Sequence, residues 1–321
     1  MYVFANPQGA GSIWFENHTT PDGTPVVYDP QARVFIPGGT FCANRSSIGC
    51  NWLAPHVGAL CRSCAMTTMA PDLSIPGATD LWAETEAAKR WALDNLGRWH
   101  WFRPEDMGAR PEFHMLAEGL MPVQMGHSNG LVTISVAEAD PVVRTRRREA
   151  LDEPFRTMLG HMRHELAHMV WWRLSIREDF LKEFRSIFGD ERADYSEALE
   201  NYYNAGPPSD WSQRHLTSYA SAHPHEDWAE TASHLLHLTD IADSFVAAGL
   251  SSSELPHAHW DPYAEPDSDL LIHVAVNLIM GLNHVNRSMG LADLYPFILS
   301  PVAHRKLVFA HHWLRKGAMG Y

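Results

Sequence analysis

The chain contains 321 residues, 45% of them hydrophobic and 20% charged, and its formal net charge is −13. A chain of this length buries a substantial core as one large domain or as two smaller ones. Its composition excludes a disordered, collagen-like or coiled-coil protein. The negative charge repels phosphate groups, so we expect neither nucleic acid nor an anionic membrane surface as a partner.

Two segments bear on membrane insertion and export. The most apolar window, residues 271–282, is interrupted by His273 and Asn277 and is too short to span a bilayer. Residues 1–17 lack a basic start followed by an apolar stretch, so they do not predict a cleavable secretory signal. We therefore expect no membrane association and a cytoplasmic location.

The first part of the chain, residues 1–75, is rich in Gly, Pro and Asn and contains short β-favouring runs. A helix pattern starts at Thr79 or Asp80, which places a boundary within Pro71–Gly77. The sequence therefore predicts a small β- and loop-rich module over 1–75 and a second domain over 76–321.

All four cysteines lie in this module, at Cys42, Cys50, Cys61 and Cys64. Four thiolates on two loops suit tetrahedral Zn²⁺, and the CxxC pair holds one metal ion from a tight turn. The alternative is two disulfides, which a cytoplasmic chain disfavours because its thiols stay reduced. We predict one structural zinc ion here, and we treat the module as a candidate surface for a protein partner.

Beyond the module, Leu131–Val136 follows the turn-forming pair Asn129 and Gly130 and predicts a strand. Helical patterns dominate from there to the end of the chain. The predicted fold class is α+β, with a mostly α-helical domain that contains a small sheet and follows the β- and loop-rich module.

An HExxH motif lies within this domain, with His164 and His168 one helical turn apart and Glu165 beside the first of them. On a helix this spacing presents two imidazoles to one metal ion, and the carboxylate is available as a general base. We expect Asp152, Glu153 and Pro154 to open that helix. A lone HExxH also arises by chance, but an apolar stripe on the same helix indicates that it is buried.

A catalytic zinc needs a third protein ligand, and two acidic groups compete for this role. We favour Glu226, because Glu230 lies one turn further on and can accept the free ring N–H of a ligand histidine. The competing group is Asp190, Glu191 and Asp194. If Glu226 is the third ligand, we expect Asp190 and Asp194 to lie beside the ligands without binding the metal. Either group is also compatible with ordinary surface charges.

Tyr219 precedes Glu226 by seven residues. Spacing alone predicts a core tyrosine, although a phenol near the metal is also suited to stabilise an oxyanion. The arrangement of Leu216–Tyr219 followed by Glu226–Glu230 resembles the active-site segment of the anthrax lethal factor family, zinc proteases of the HExxH class with Glu as third ligand. This resemblance implies that Glu226 is a ligand and that Tyr219 is catalytic.

A wider set of segments, spread over residues 40–310, is Phe41–Asn44, Cys50–Trp52, Cys61–Cys64, Leu81–Trp82, Glu86–Arg90, Gly126–Gly130, Glu138–Asp140, Leu159–Glu165, Phe188–Glu191, His223–Thr231 and Asp293–Phe297. Together they resemble a bacterial family of zinc-binding metallopeptidases with an N-terminal zinc-ribbon-like module. The resemblance implies a zincin-like domain with His164 and His168 as ligands and Glu165 as base. That family usually has further cysteines near the start, whereas residues 1–30 contain none, so we expect one structural zinc and not two.

These features predict a zinc-dependent metallopeptidase that acts on peptide or protein substrates, with one catalytic and one structural zinc ion. In a zincin-like domain, Leu131–Val136 is expected as an edge strand that pairs with extended substrate, the alternative being an interior strand. Two other functions stay open: a non-catalytic zinc protein that binds a partner, and a hydrolase of a non-peptide amide. Of the other histidines, we expect His161, His234 and His237 either to pack in the core or to contact the metal ligands, and His223 and His225 to lie at the rim of the site.

Overall fold

The computed structural model describes residues 3–119, 123–151, 155–295 and 298–317. The described residues form helices and short strands in the proportions of an α+β fold, which confirms the predicted class. Two compact units are present, Met1–Met162 with Ala247–Leu250, and Arg163–Val246 with Ser251–Tyr321. The division between the units falls between Met162 and Arg163, inside a helix. The domain boundary expected from the sequence lies at residue 75, and that boundary stays a prediction.

The first unit contains small sheets and a few helices. Its strands are β1 (Val3–Ala5), β2 (Ser12–Trp14), β3 (Val26–Asp29), β4 (Val34–Pro37), β5 (Thr67–Met69), β6 (Glu112–Leu116), β7 (Gly126–Ser128) and β8 (Leu131–Ser135). Its helices are α1 (Arg45–Ile48), α2 (Ala78–Arg98), α3 (Pro141–Leu151) and the first turn of α4 (Met158–Leu174). The antiparallel hairpins β1–β2 and β3–β4, with the cysteine cluster that follows them, have the character of the predicted zinc-ribbon-like module.

Tyr28 joins these hairpins to α2. Its ring packs edge-on against Phe4 and Phe15, with ring centroids 5.2 and 5.0 Å away. Its hydroxyl donates a hydrogen bond of 2.8 Å to the Asp94 carboxylate on α2. A buried phenol needs such an acceptor, so this contact fixes the hairpins on the helix.

The larger sheet has the strand order β5-β6-β8-β7, in which β8 is an interior strand. The expectation of an edge strand at Leu131–Val136 is therefore wrong, and the interior alternative is correct. The reason lies in the turn before it, where Asn129 and Gly130 both have positive φ, of 49° and 91°. Two such residues form the preferred turn of a β-hairpin, so the chain adds β7 antiparallel to β8 and covers that edge.

The second unit is helical. Its elements are the rest of α4, α5 (Glu178–Phe188), α6 (Tyr195–Ala205), α7 (Trp211–Arg214), α8 (Pro224–Ala247), α9 (Ser268–Ser288) and α10 (Pro301–Lys316). Its core contains a group of packed aromatic rings, namely Phe180, Phe184, Phe188, Trp228, Phe309 and Trp313. Three of these rings repeat every fourth residue along α5, so they form one apolar face of that helix.

Helix α4 carries the HExxH motif. It begins at Met158, where the Thr157 hydroxyl accepts a hydrogen bond of 2.9 Å from the backbone N–H of Gly160 and caps the helix. The residues expected to open this helix, 152–154, lie outside the described part of the chain. Further along, the Trp228 indole N–H of α8 donates to the Ala167 carbonyl at 2.9 Å. This buried bond joins α8 directly to the HExxH turn of α4.

Helix α9 contains the apolar window noted in the sequence. Among the described residues it is the one helix long and apolar enough to cross a membrane, judged by length and composition alone. One of its faces is buried and includes Leu271, Val274 and Leu278. A core helix of a globular unit has the same composition, so the expectation of no membrane association stays a prediction.

A buried ion pair joins α10 to α8. Lys306 donates to an Asp227 carboxylate oxygen at 2.5 Å and to the Arg214 carbonyl at 2.6 Å. His215 lies 3.0 Å from the same carboxylate oxygen. Burial lowers the pKa of Lys306, so the charge of Asp227 is needed to keep this ammonium group protonated.

Replacing Lys306 with Met is expected to lower the free energy of unfolding by about 3 kcal/mol, because Asp227 loses its buried counter-charge. Thermal and urea unfolding measure the change. Lys182→Met, on the exposed side of α5, is the matched control, with an expected change within about 0.5 kcal/mol. Adding Asp227→Asn to Lys306→Met should recover much of the loss. Equal stability of the two single Lys variants would contradict this account.

Candidate metal centre

Two groups of metal-ligating side chains occur among the described residues, one in each unit. The first consists of the four cysteines of the first unit, whose sulfur atoms lie within 4.8 Å of one another. All four are buried and free. The Cys50 and Cys61 sulfurs are 3.5 Å apart, close to the roughly 3.8 Å edge of a tetrahedral zinc–sulfur site. The chemistry and spacing of this donor set fit a structural zinc ion.

Backbone geometry places these thiols. Gly49 ends α1 with a φ of 62°, a left-handed conformation that favours glycine and turns the chain into Cys50. The Cys61 N–H points to the Cys42 sulfur at 3.2 Å, and the Cys64 N–H points to the Cys61 sulfur at 3.4 Å. Such N–H groups stabilise thiolates over thiols, which favours metal binding.

The second group consists of His164, His168 and Glu226, whose ligand atoms also lie within 4.8 Å of one another. The Nε2 atom of His164 is 3.1 Å from that of His168 and 3.1 Å from Glu226 Oε2. His168 Nε2 is 3.4 Å from Glu226 Oε1. Ligand atoms about 2.1 Å from one tetrahedral zinc ion are roughly 3.4 Å apart, so this donor set fits zinc.

The electrostatics of this second group favour a bound cation. Burial alone would raise the pKa of Glu226, but the charge of His168 and the hydrogen bonds from both imidazoles lower it well below its ordinary value. Burial alone would lower the pKa of His164, yet the hydrogen bonds to Glu226 and Glu230 raise it well above the ordinary value. The buried carboxylates therefore remain ionised and attract either protons or a metal ion, which compete for the same atoms.

Glu230 lies where the sequence placed it, one turn after Glu226 on α8. Its Oε1 atom is 2.7 Å from Nδ1 of His164, so it accepts that ring N–H and leaves Nε2 free for a metal. The Thr217 hydroxyl donates to the other oxygen of Glu230 at 2.7 Å. The sequence analysis assigned no role to Thr217, although Thr217 lies within the segment Leu216–Tyr219 that carries the resemblance to the lethal factor family.

The proposed base and the proposed oxyanion donor also lie beside this group. Glu165 directly follows His164 and is 7% exposed. The ring of Tyr219 lies 6.2 Å from that of His164. Burial is the largest cause that raises the pKa of Tyr219, and the charges of Glu226 and Glu165 raise it further. Tyr219 therefore keeps its proton and can donate it in a hydrogen bond.

Tyr195 is a member of the site that the sequence analysis missed. Its hydroxyl donates a hydrogen bond of 2.6 Å to Glu226 Oε1. Burial is the largest cause that raises the pKa of Tyr195, and the charge of Glu226 raises it further, so Tyr195 keeps the proton that it donates. The only sequence signal was its place directly after the acidic group that competed for the third-ligand position.

That acidic group has other partners. Asp190 pairs with Arg192 at 2.7 Å on the surface, and Glu191 pairs with Arg185. Asp194 caps α6 by accepting from the Glu197 N–H at 2.9 Å. The structure therefore does not bring Asp190 or Asp194 to the metal-ligand group, because nearby arginines and a helix N-terminus engage them locally.

The remaining histidines have individual environments. His161 lies 3.3 Å from Glu138, in the first unit, while in the second unit His234 bonds the Tyr295 hydroxyl at 2.6 Å and His237 contacts Arg163. His223 bonds the Ala193 carbonyl at 3.1 Å. His225 packs against Trp171, and burial lowers its pKa to about 4. None of the five joins the three metal-ligating atoms among the described residues.

Comparison with known proteins agrees with this donor chemistry. A family model described as "Putative zinc-binding metallo-peptidase" matches residues 78–313, and the chain belongs to this family. Similar proteins occur in Mycobacterium bovis and in two strains of Mycobacterium tuberculosis, each described as an uncharacterized protein. Each is 39% identical over 279 residues, which are 84% of this chain and 81% of the relative. No solved structure matches the chain.

Elemental analysis of purified protein is expected to find about two zinc ions per chain, one for each donor group. A variant with His164→Ala and His168→Ala should retain about one, since the cysteine group lies in the other unit. A variant with Cys61→Ser and Cys64→Ser should also lose one. If the wild type and the double histidine variant contain equal zinc, the second group does not bind the metal.

Proposed function

We propose that this protein is a zinc-dependent peptidase whose centre is formed by His164, His168 and Glu226. The observation that carries the proposal is the convergence of three ligand atoms from α4 and α8 within 4.8 Å. Family membership supports a peptide or protein as the substrate. When bound, Zn²⁺ supplies a Lewis acid that lowers the pKa of water and polarises the carbonyl group under attack.

The side chains of the second unit supply the proton transfers. Glu165 takes the proton of the attacking water and returns it to the leaving amine, which is the work of a general base and then a general acid. Glu165 directly follows the proposed ligand His164, and its charge raises the pKa of both Tyr195 and Tyr219. The protonated phenol of Tyr219 donates to the oxygen that gains negative charge.

The number of protein ligands supports catalysis over a purely structural metal. A catalytic zinc keeps one position open, whereas a structural zinc is closed by four protein ligands. Asp190 and Asp194, the carboxylates considered as further ligands, are engaged by Arg192 and by the N-terminus of α6. Three protein ligands from the described residues therefore favour the peptidase over a non-catalytic zinc protein.

Replacing Glu165 with Gln is expected to reduce peptide hydrolysis by at least a hundredfold, because the amide cannot accept the proton. Zinc content should stay at the wild-type value, since Glu165 is not among the three ligands. The assay is cleavage of a mixed peptide library followed by mass spectrometry, with zinc measured on the same samples.

Glu200→Gln, an exposed change on α6, is the control and should leave both quantities unchanged. Full activity of the Glu165 variant would reject this residue as the base. A zinc-loaded wild type that cleaves no peptide but hydrolyses a small amide would instead favour a non-peptide amide as substrate.

A further inference from the structure

Tyr195 contacts a proposed zinc ligand, but it is neither a ligand itself nor one of the proposed catalytic groups. It is the first residue of α6, and its side chain extends to the ligand carboxylate although the residue as a whole is 41% exposed. The hydroxyl donates to Glu226 Oε1 at 2.6 Å. If packing alone held this tyrosine, its ring would be buried. Because the residue is partly exposed, the hydrogen bond of its hydroxyl is the contact that holds the side chain in place.

The backbone on either side directs this side chain toward the site. Asp194 caps α6 and so fixes the first turn that carries Tyr195. His223 holds the Ala193 carbonyl at 3.1 Å, one residue earlier, and its ring packs edge-on against Tyr195 at 5.2 Å. No side chain of α6 is fully buried. The polar contacts of its first turn therefore help to position the helix.

The Tyr195 bond makes the two oxygens of Glu226 unequal. Oε1 accepts the short hydrogen bond from Tyr195 and lies 3.4 Å from His168 Nε2. Oε2 has no such hydroxyl partner and lies closer to an imidazole, 3.1 Å from His164 Nε2. A hydroxyl on one carboxylate oxygen holds the group in one orientation and leaves the other oxygen for the metal. Partners of this kind change metal affinity by about 10- to 100-fold.

We propose that Tyr195 is a positioning residue of the metal centre, which holds Glu226 as a ligand through a single oxygen. The proposal rests on the zinc centre of the proposed function, and it goes further by assigning a role to a residue outside the HExxH motif and outside the ligand set.

The test is Tyr195→Phe, which removes the hydroxyl and keeps the ring. Zinc affinity is measured by competition with a chelator, and Co²⁺ is loaded to record its visible absorption. Both measurements are repeated on the variant with His164→Ala and His168→Ala, so that the contribution of the cysteine group can be subtracted.

We expect Tyr195→Phe to weaken zinc binding at this centre by about tenfold or more and to change the Co²⁺ spectrum, because the freed Oε1 can also reach the metal. Tyr202→Phe is the matched control. Tyr202 lies on the same helix, but its hydroxyl bonds Ser218 at 3.3 Å and not Glu226. That control should reproduce the wild-type affinity and spectrum. Circular dichroism checks that both variants are folded.

Two outcomes would overturn the inference in distinguishable ways. If Tyr195→Phe binds zinc within twofold of the wild type and gives the same Co²⁺ spectrum, Tyr195 does not position the ligand, although the proposed zinc centre stands. If the wild type binds no more metal than the double histidine variant, the centre itself is absent, and the proposed function fails together with this inference.

Discussion

The burial of Glu226 against two imidazoles is the constraint on which the second unit depends. A carboxylate that is 1% exposed is tolerated only when groups of opposite charge or hydrogen-bond donors surround it. His164, His168 and Tyr195 all contact it, and they come from two further helices. Helices α4, α6 and α8 must therefore approach each other at one point, and this buried polar point also suits a metal ion.

The residues that follow Glu226 keep this arrangement in place. Consecutive side chains of a helix point about 100° apart, so Glu226, Asp227 and Trp228 make three separate contacts with two neighbouring helices. Glu226 meets the imidazoles of α4, Asp227 meets Lys306 of α10, and Trp228 bonds the Ala167 carbonyl of α4. Three successive residues thus fix the position and the rotation of α8, and the ligand geometry follows from ordinary core contacts.

The two metal-ligating groups differ in what surrounds them. The cysteine sulfurs are buried and contacted by backbone N–H groups, an environment typical of a closed site that stabilises its fold. The histidine and glutamate group is instead bordered by a carboxylate, Glu165, and by the protonated hydroxyls of the two tyrosines, which can donate hydrogen bonds. One chain therefore contains one donor set suited to stability and one suited to chemistry.

The sequence by itself determined the features that depend on short spacing. One helical turn separates His164 from His168 and Glu226 from Glu230, and the helix geometry alone places each pair on one face. Tertiary structure decided which distant groups meet. Tyr195 lies 31 residues from Glu226, Thr217 bonds Glu230 across a loop, and the acidic group at 190–194 finds arginines and a helix cap instead of the metal-ligand group. Those choices depend on competition among partners in three dimensions, which no local spacing records. The Asn129 and Gly130 pair illustrates both contributions. In the sequence it correctly predicted the strand that follows. Only the structure showed that β7 pairs with this strand and covers its edge.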